Sequence, residues 1–263
     1  MTRRFEPVLK QRIFEARYDK GYRYLDRCGD AMAILEDLLT DQTGFVWLAA
    51  EASPASARMI CPDLETTVVF SAQSLVVDQT PIPDATCDFS AIADTCLATI
   101  TGRFDLRAFR RLGARRVKVI AAHTDSVEDA EALSLKVFSI PDWLALANSA
   151  LTARASEPCF VFETPDRSLG IRITTKPYFS VGTELRVDDR LRLPPHHLPA
   201  KQHEALIEQL RRRQARQHKP EAGVTIDIDY YQMHPHAFKV QEFLTAASQA
   251  SDQLEITLLE RHA

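Results

Sequence analysis

Residues 224–236 read VTIDIDYYQMHPH and place two aspartates and two histidines within ten positions. In an extended strand Val224, Ile226, Ile228 and Tyr230 point one way and Thr225, Asp227, Asp229 and Tyr231 the other, so the two carboxylates share a face. Oxygen ligands at i and i+2 could hold Mg²⁺ or Mn²⁺, and His234 or His236 could add a nitrogen. That donor set serves metal-assisted phosphoester hydrolysis, and it would be reinforced if Asp188 or Asp189 converged on the same face. A half-buried strand needs a polar outer face in any case, and Thr-Asp-Asp-Tyr supplies one without a metal. His234, Pro235 and His236 then make the turn into a helix, with Pro235 near its first turn. No further ligand at a diagnostic spacing such as H-E-x-x-H accompanies the pair, so the pattern leans to a surface strand.

A second constellation is cationic. DLRAFRRLGARRVKV, residues 105–119, gathers Arg107, Arg110, Arg111, Arg115, Arg116 and Lys118 at an expected helix end and the strand after it. Guanidinium groups in such a cluster grip phosphates or acidic partners in bidentate fashion. Cations also suit the last turn of a helix and the outward positions of a strand. Without stacking aromatics interleaved, the patch is a weak nucleic-acid signal. In residues 200–218, Glu204, Glu208, Arg212 and Arg216 fall at i, i+4 spacing, with a narrow apolar stripe of Leu206, Ile207 and Leu210. That is the pattern of a solvated helix, or alternatively of a basic ridge facing a partner.

Other chemistry has no local signature. There is no G-x-G-x-x-G, Walker loop or G-x-S-x-G elbow. His196 and His197 lie in the proline-rich stretch LRLPPHHLP and read as surface residues, and a Cys–His nucleophilic pair would have to be assembled across the fold. Nothing in the sequence calls for a cofactor.

The elements that must position these residues follow from hydrophobic periodicity. Strands are expected at 11–19, 45–50, 58–61, 66–71, 74–78, 115–121, 158–163, 169–175, 183–188 and 224–231. Helices are expected at 30–40, 89–111, 126–138, within PDWLALANSAL, at 200–218 and at 236–250. LEITLLER, near the C-terminus, fits either a strand or a helix end. In the second helix Ile92, Cys96 and Ile100 stack at i, i+4, and Gly113 stands where a left-handed cap is expected. The third is expected to begin at Asp125, with Glu128 completing a capping box. Many short strands in series followed by helices argue for an α+β fold, antiparallel sheet with the helices segregated to one side. TTVVFSAQSLVVDQ (66–79) aligns with TTKPYFSVGTELRVDD (174–189), and the elements after each also correspond, which suggests duplication of a unit of about 110 residues. The units would be 1–138 and 139–263, or one continuous domain.

With 263 residues, 45% hydrophobic, the chain can bury a sizeable core. A net charge of −4 gives no global attraction to nucleic acid or anionic lipid. The opening MTRRFEPVLKQRIFEARYDKGYRYL lacks the apolar run of a secretory signal, and no stretch approaches the ~20 apolar residues that cross a bilayer. Five cysteines without a C-x-x-C pair read as reduced thiols. The expected location is the cytoplasm, away from membranes.

At FRRLGARRVKVI and VTIDIDYY the sequence resembles a sporadically distributed, functionally uncharacterised family of bacterial proteins of about this length. The family carries an Arg-x-Gly-x-Arg segment leading into a mid-chain strand, matched here by Arg111, Gly113 and Arg115. Its second motif, a hydrophobic–Asp–hydrophobic–Asp strand before a C-terminal helix, is matched by Asp227 and Asp229. The resemblance covers roughly the last two-thirds of the chain and implies no activity. RVKVIAA stands where the family has an aromatic residue and an asparagine.

The leading expectation is therefore a non-enzymatic interaction protein, a scaffold acting through sheet edges, a groove or the basic patch, with a protein partner or its own copy. The alternatives are a divalent-metal phosphoester hydrolase using Asp227, Asp229 and a histidine, and nucleic-acid binding through Arg110, Arg111, Arg115, Arg116 and Lys118.

Overall fold

The computed structural model describes residues 6–19, 21–82, 87–123, 126–138, 155, 157–180, 221–236 and 238–260. In chain order they form β1 (Val8–Tyr18), α1 (Tyr24–Thr43), β2 (Leu48–Ala52), β3 (Ala57–Cys61), a 3₁₀ turn (Pro62–Leu64), β4 (Thr66–Phe70) and β5 (Ser74–Gln79). Then come α2 (Phe89–Phe104), β6 (Phe109–Ala121), α3 (Val127–Phe138), β7 (Cys159–Glu163), β8 (Leu169–Ser180), β9 (Glu221–Met233) and α4 (Val240–Glu260). The expected elements at 141–151, 183–188 and 200–218, with His196, His197, Asp188 and Asp189, lie outside the described residues.

All nine strands join one antiparallel sheet in the order β2-β3-β4-β5-β1-β6-β9-β8-β7. Alternation along the strands decides which face is covered. Phe14, Ala16 and Tyr18 of β1, Leu112 and Ala114 of β6, and Tyr230 of β9 turn into one core with α1, α2 and the start of α4. Ile120, Ile173, Val224, Ile226 and Ile228 continue that face into a second core beneath α3 and the end of α4. The fold is thus α+β with its described helices on one side of the sheet. Tyr24, Phe70 and Phe104 pack edge-on or tilted at 5.9–6.2 Å between ring centres, all fully or almost fully buried. Each such ring contributes about 1.5–3 kcal/mol by leaving water.

Three local expectations are corrected. The helix from Phe89 ends at Phe104, where Asp105 takes the left-handed conformation (φ 55°) and its N–H bonds the Thr101 carbonyl. After a short connection that carries Arg107, the arginine-rich segment is strand from Phe109 onward, so Gly113 caps nothing. The third helix is capped by Ser126, whose hydroxyl accepts the Asp129 N–H at 3.1 Å, one residue beyond the expected start. The last helix begins at Val240, not 236, and absorbs LEITLLE as its final turns. Phe238 is held edge-on against Phe109 at 5.3 Å, which keeps the residues before Val240 tied to the sheet end. In the proposed repeat, 66–79 is a hairpin of β4 and β5, whereas 174–180 is the end of the single strand β8.

Candidate functional site

β6 lies between β1 and β9, with Gly113 opposite Glu15 on one side and Tyr231 on the other, and Arg115 opposite Asp229. These odd-numbered positions face away from the helices. Arg111 does not bond its direct neighbours. Its side chain runs along the strand over Gly113, so that Nη1 meets Glu15 Oε2 at 2.5 Å and Nη2 meets both Asp229 oxygens at 2.7 Å. A Cβ at Gly113 would collide with that guanidinium. The Tyr231 ring centre lies 5.2 Å from the Arg111 guanidinium carbon, completing a cation–π contact. Arg115 follows the same lean, donating Nε to Asp227 Oδ1 at 2.7 Å and Nη2 to the other oxygen. The hydrogen bonds that Arg115 donates to Asp227 hold its pKa above the ordinary value, against the desolvation that would lower it. Arg-x-Gly-x-Arg on one strand and Asp-x-Asp on the next are therefore one interlocked lattice, bordering a cavity of about 290 Å³ with Ile13, Arg17 and Val76.

The remaining cations of the segment point elsewhere. Arg116 and Lys118 lie on the helix-covered face and meet α4. Arg116 Nη1 reaches Asp252 Oδ1 at 2.8 Å and Ser248 Oγ at 3.0 Å, and Lys118 Nζ reaches Glu255 at 2.5 Å and Asp252 at 3.4 Å. Arg110, at the start of β6, pairs with Asp19 at 2.6 Å. The five cations expected to act together are thus divided between two faces and a strand end, each with a carboxylate. Charges already paired release fewer counterions on meeting phosphate, which lowers what these five cations would contribute to such a contact.

Asp227 and Asp229 share a face, as alternation requires, and both accept from arginines. His234 and His236 are exposed beyond the end of β9; His234 adopts φ 48° and its N–H bonds the Arg110 carbonyl at 2.9 Å. Among the described residues no three His, Cys, Asp or Glu side chains gather where a metal ion could sit.

A different kind of site stands at the sheet edge. Among the described residues β7 pairs only with β8, and all five of its residues are exposed, with Phe160, Val161 and Phe162 at 37%, 49% and 53%. The Pro158 carbonyl accepts from Thr175 N–H at 3.1 Å, and Thr164 N–H donates to the Leu169 carbonyl at 2.9 Å. By antiparallel alternation, residues 158, 160, 162 and 164 bond β8, and the backbone groups of Cys159, Val161 and Glu163 point outward. Phe160 and Phe162, opposite Ile173 and Ile171, stand on the helix-covered face, and Val161 on the open one. Glu163 is turned inward to accept the Tyr231 hydroxyl at 2.6 Å, a bond that raises the tyrosine pKa. That hydroxyl ties the edge back to the arginine lattice.

No family model matches the sequence, and no curated protein matches it. No helix among the described residues is long and apolar enough to cross a membrane. Local sequence did not mark Glu15, Asp252 or Glu255 as partners of the arginines. β7 did carry a signal: C-F-V-F-E has no apolar–polar alternation and no lysine, proline or glycine to blunt an edge.

Proposed function

We propose that this chain is a non-enzymatic interaction protein that works by extending its sheet at β7, and that the occupant of the edge is a second copy of itself. The observation that carries the reading is the exposed run Phe160-Val161-Phe162 on a strand that ends the sheet and has no outer neighbour among the described residues. Such edges are templates for strand addition and are ordinarily protected. The run is palindromic about Val161. In a two-fold antiparallel pairing centred there, Val161 faces its own copy, Cys159 faces Glu163, and each Phe160 faces the Phe162 of the other copy. The hydrogen-bonding phase agrees, because Cys159, Val161 and Glu163 are the residues whose backbone groups point outward. The rings of both copies would then meet in one apolar cluster on the helix-covered face. The ion-paired arginines and engaged aspartates favour this reading over phosphate or metal chemistry. We also take the resemblance to the bacterial family with the two motifs as our own reading, supported by the way those motifs interlock on β6 and β9.

The test is analytical ultracentrifugation of the full chain and of Val161→Pro. Proline at 161 removes only an outward N–H, so β7 keeps its bonds to β8 while the outer edge loses its central donor. A dimer at micromolar concentration that dissociates in Val161→Pro supports the proposal. A monomer at tens of micromolar, or a dimer indifferent to the substitution, overturns it; a monomeric chain that forms a complex with another protein through β7 would replace the occupant.

A further inference from the structure

On the helix-covered face, a cavity of about 430 Å³ opens between the start of α2 and the middle of α4, above β1 and β6. Leu9, Phe89, Leu244 and Ala247 form apolar walls, and the charged residues along it are Arg12, Arg115, Arg116 and Asp88. Arg12 and Arg116 are direct partners in the β1–β6 register. Like charges placed directly opposite across two strands repel, an arrangement a sheet does not adopt for stability. Arg116 is held by Asp252 and Ser248. Arg12 is less occupied: its Nε donates to Gln79 Oε1 at 2.6 Å and its guanidinium lies 4.8 Å from the Phe89 ring centre. Its two Nη groups have no hydrogen-bond acceptor among the described residues.

Nearby acid does not resolve this. Asp88 also lines the cavity, but its Oδ1 is turned back on α2, accepting from Ser90 N–H at 2.9 Å, Ser90 Oγ at 2.7 Å and Ala91 N–H at 3.2 Å. Burial pulls the Arg12 pKa below its ordinary value; Cys87 and Asp88 raise it in part, and Arg116 lowers it further. A partly desolvated cation with unspent donors thus faces a second cation across a largely apolar hollow. Small-molecule sites have this composition, apolar walls with a few converging polar groups, and volumes of about 300–1,000 Å³.

We propose that this cavity binds a small amphipathic anion, its carboxylate or phosphate head group taken by the free Nη groups of Arg12 beside Arg116 and its apolar body lying against Phe89, Leu244 and Ala247. The site is separate from the β7 edge and does not depend on the proposal made for it.

The experiment is isothermal titration of the full chain with octanoate and with octyl phosphate, beside acetate, inorganic phosphate and 1-octanol, in wild type, Arg12→Gln and Arg116→Gln. Saturable one-site binding by at least one alkyl anion is expected, tighter than its head group alone or the alcohol. Arg12→Gln should weaken it about tenfold or more, as loss of a charge-assisted bond does. Whichever alkyl anion binds identifies the head group. Thermal melts without ligand provide a second readout: Arg12→Gln should melt at or above wild type, because the cross-strand repulsion is gone. If Arg12→Gln does not fold, Arg116→Gln carries the affinity comparison. No saturable binding by either alkyl anion, binding no tighter than that of octanol, or full affinity in the arginine variants would overturn the proposal.

Discussion

The Arg111 guanidinium occupies the space that a side chain at Gly113 would need, and it does so to reach Glu15 and Asp229 on the two flanking strands. The glycine is therefore required by a neighbour two residues away rather than by any turn of the backbone. Three strands are joined at that point by one side chain.

Gly113→Ala should displace the guanidinium and leave Glu15 and Asp229 facing each other without their cation. The pair side chains are 15–23% exposed, so the cost falls below that of a fully buried pair, at about 2 kcal/mol. Urea unfolding monitored by circular dichroism measures it as a lower midpoint at unchanged slope. The double variant with Arg111→Ala should lose less than the sum of the two single changes, since both break one network. Additive losses would mean that glycine and arginine act independently.

Asp88 gives a pH signature. Its hydrogen bonds with Ser90, first from the side chain and then with the backbone of Ser90 and Ala91, hold its pKa below the ordinary 3.8, with a smaller contribution from Arg12. A depressed folded-state pKa contributes stability above the unfolded value and loses it as pH falls through the folded one. Asp88→Ala should therefore cost about 1 kcal/mol at pH 7, as N-cap removal does. The gap between wild type and variant should narrow below pH 3.8, as the carboxylate protonates. A gap constant from pH 7 to pH 2.5 would show that charge is not involved.

The thiols should divide sharply by reactivity. Burial pushes the Cys61 thiol up to about 12 and raises Cys96 as well, so neither forms thiolate near neutrality. Cys159 is exposed on β7. A disulfide reagent at pH 8 should modify Cys159 in the native chain and reach Cys61 and Cys96 only on unfolding, as peptide mapping would read directly. Native-state labelling of Cys96 would show that α2 opens from the sheet.

Periodicity revealed what depends on neighbours in sequence. Ile92, Cys96 and Ile100 announced α2, and the alternation of Val224 to Tyr231 placed both aspartates on one face. What escaped depends on distance. Glu15 lies 96 residues from Arg111, and Asp229 lies 118 residues away, so no local pattern connects them. Gly113 reads as a cap in sequence because a glycine after a helical period ordinarily closes a helix. The true stop, Asp105, is a residue that only its φ of 55° reveals. The cationic segment looked like one patch because adjacency in sequence hides the strand alternation that sends Arg115 and Arg116 to opposite faces.

The pairing of β6 with β9 also bears on the order in which the molecule assembles. Arg115 and Asp229 meet across more than a hundred residues, so the middle of the sheet is a late, high-contact-order event that must wait for the last strand. Until then β6 is the outer margin of a half-built sheet, the kind of margin that captures wrong partners. Its closely spaced arginines make it a poor template for stray strands, and the aspartates of β9 are the complement that lets the right one dock.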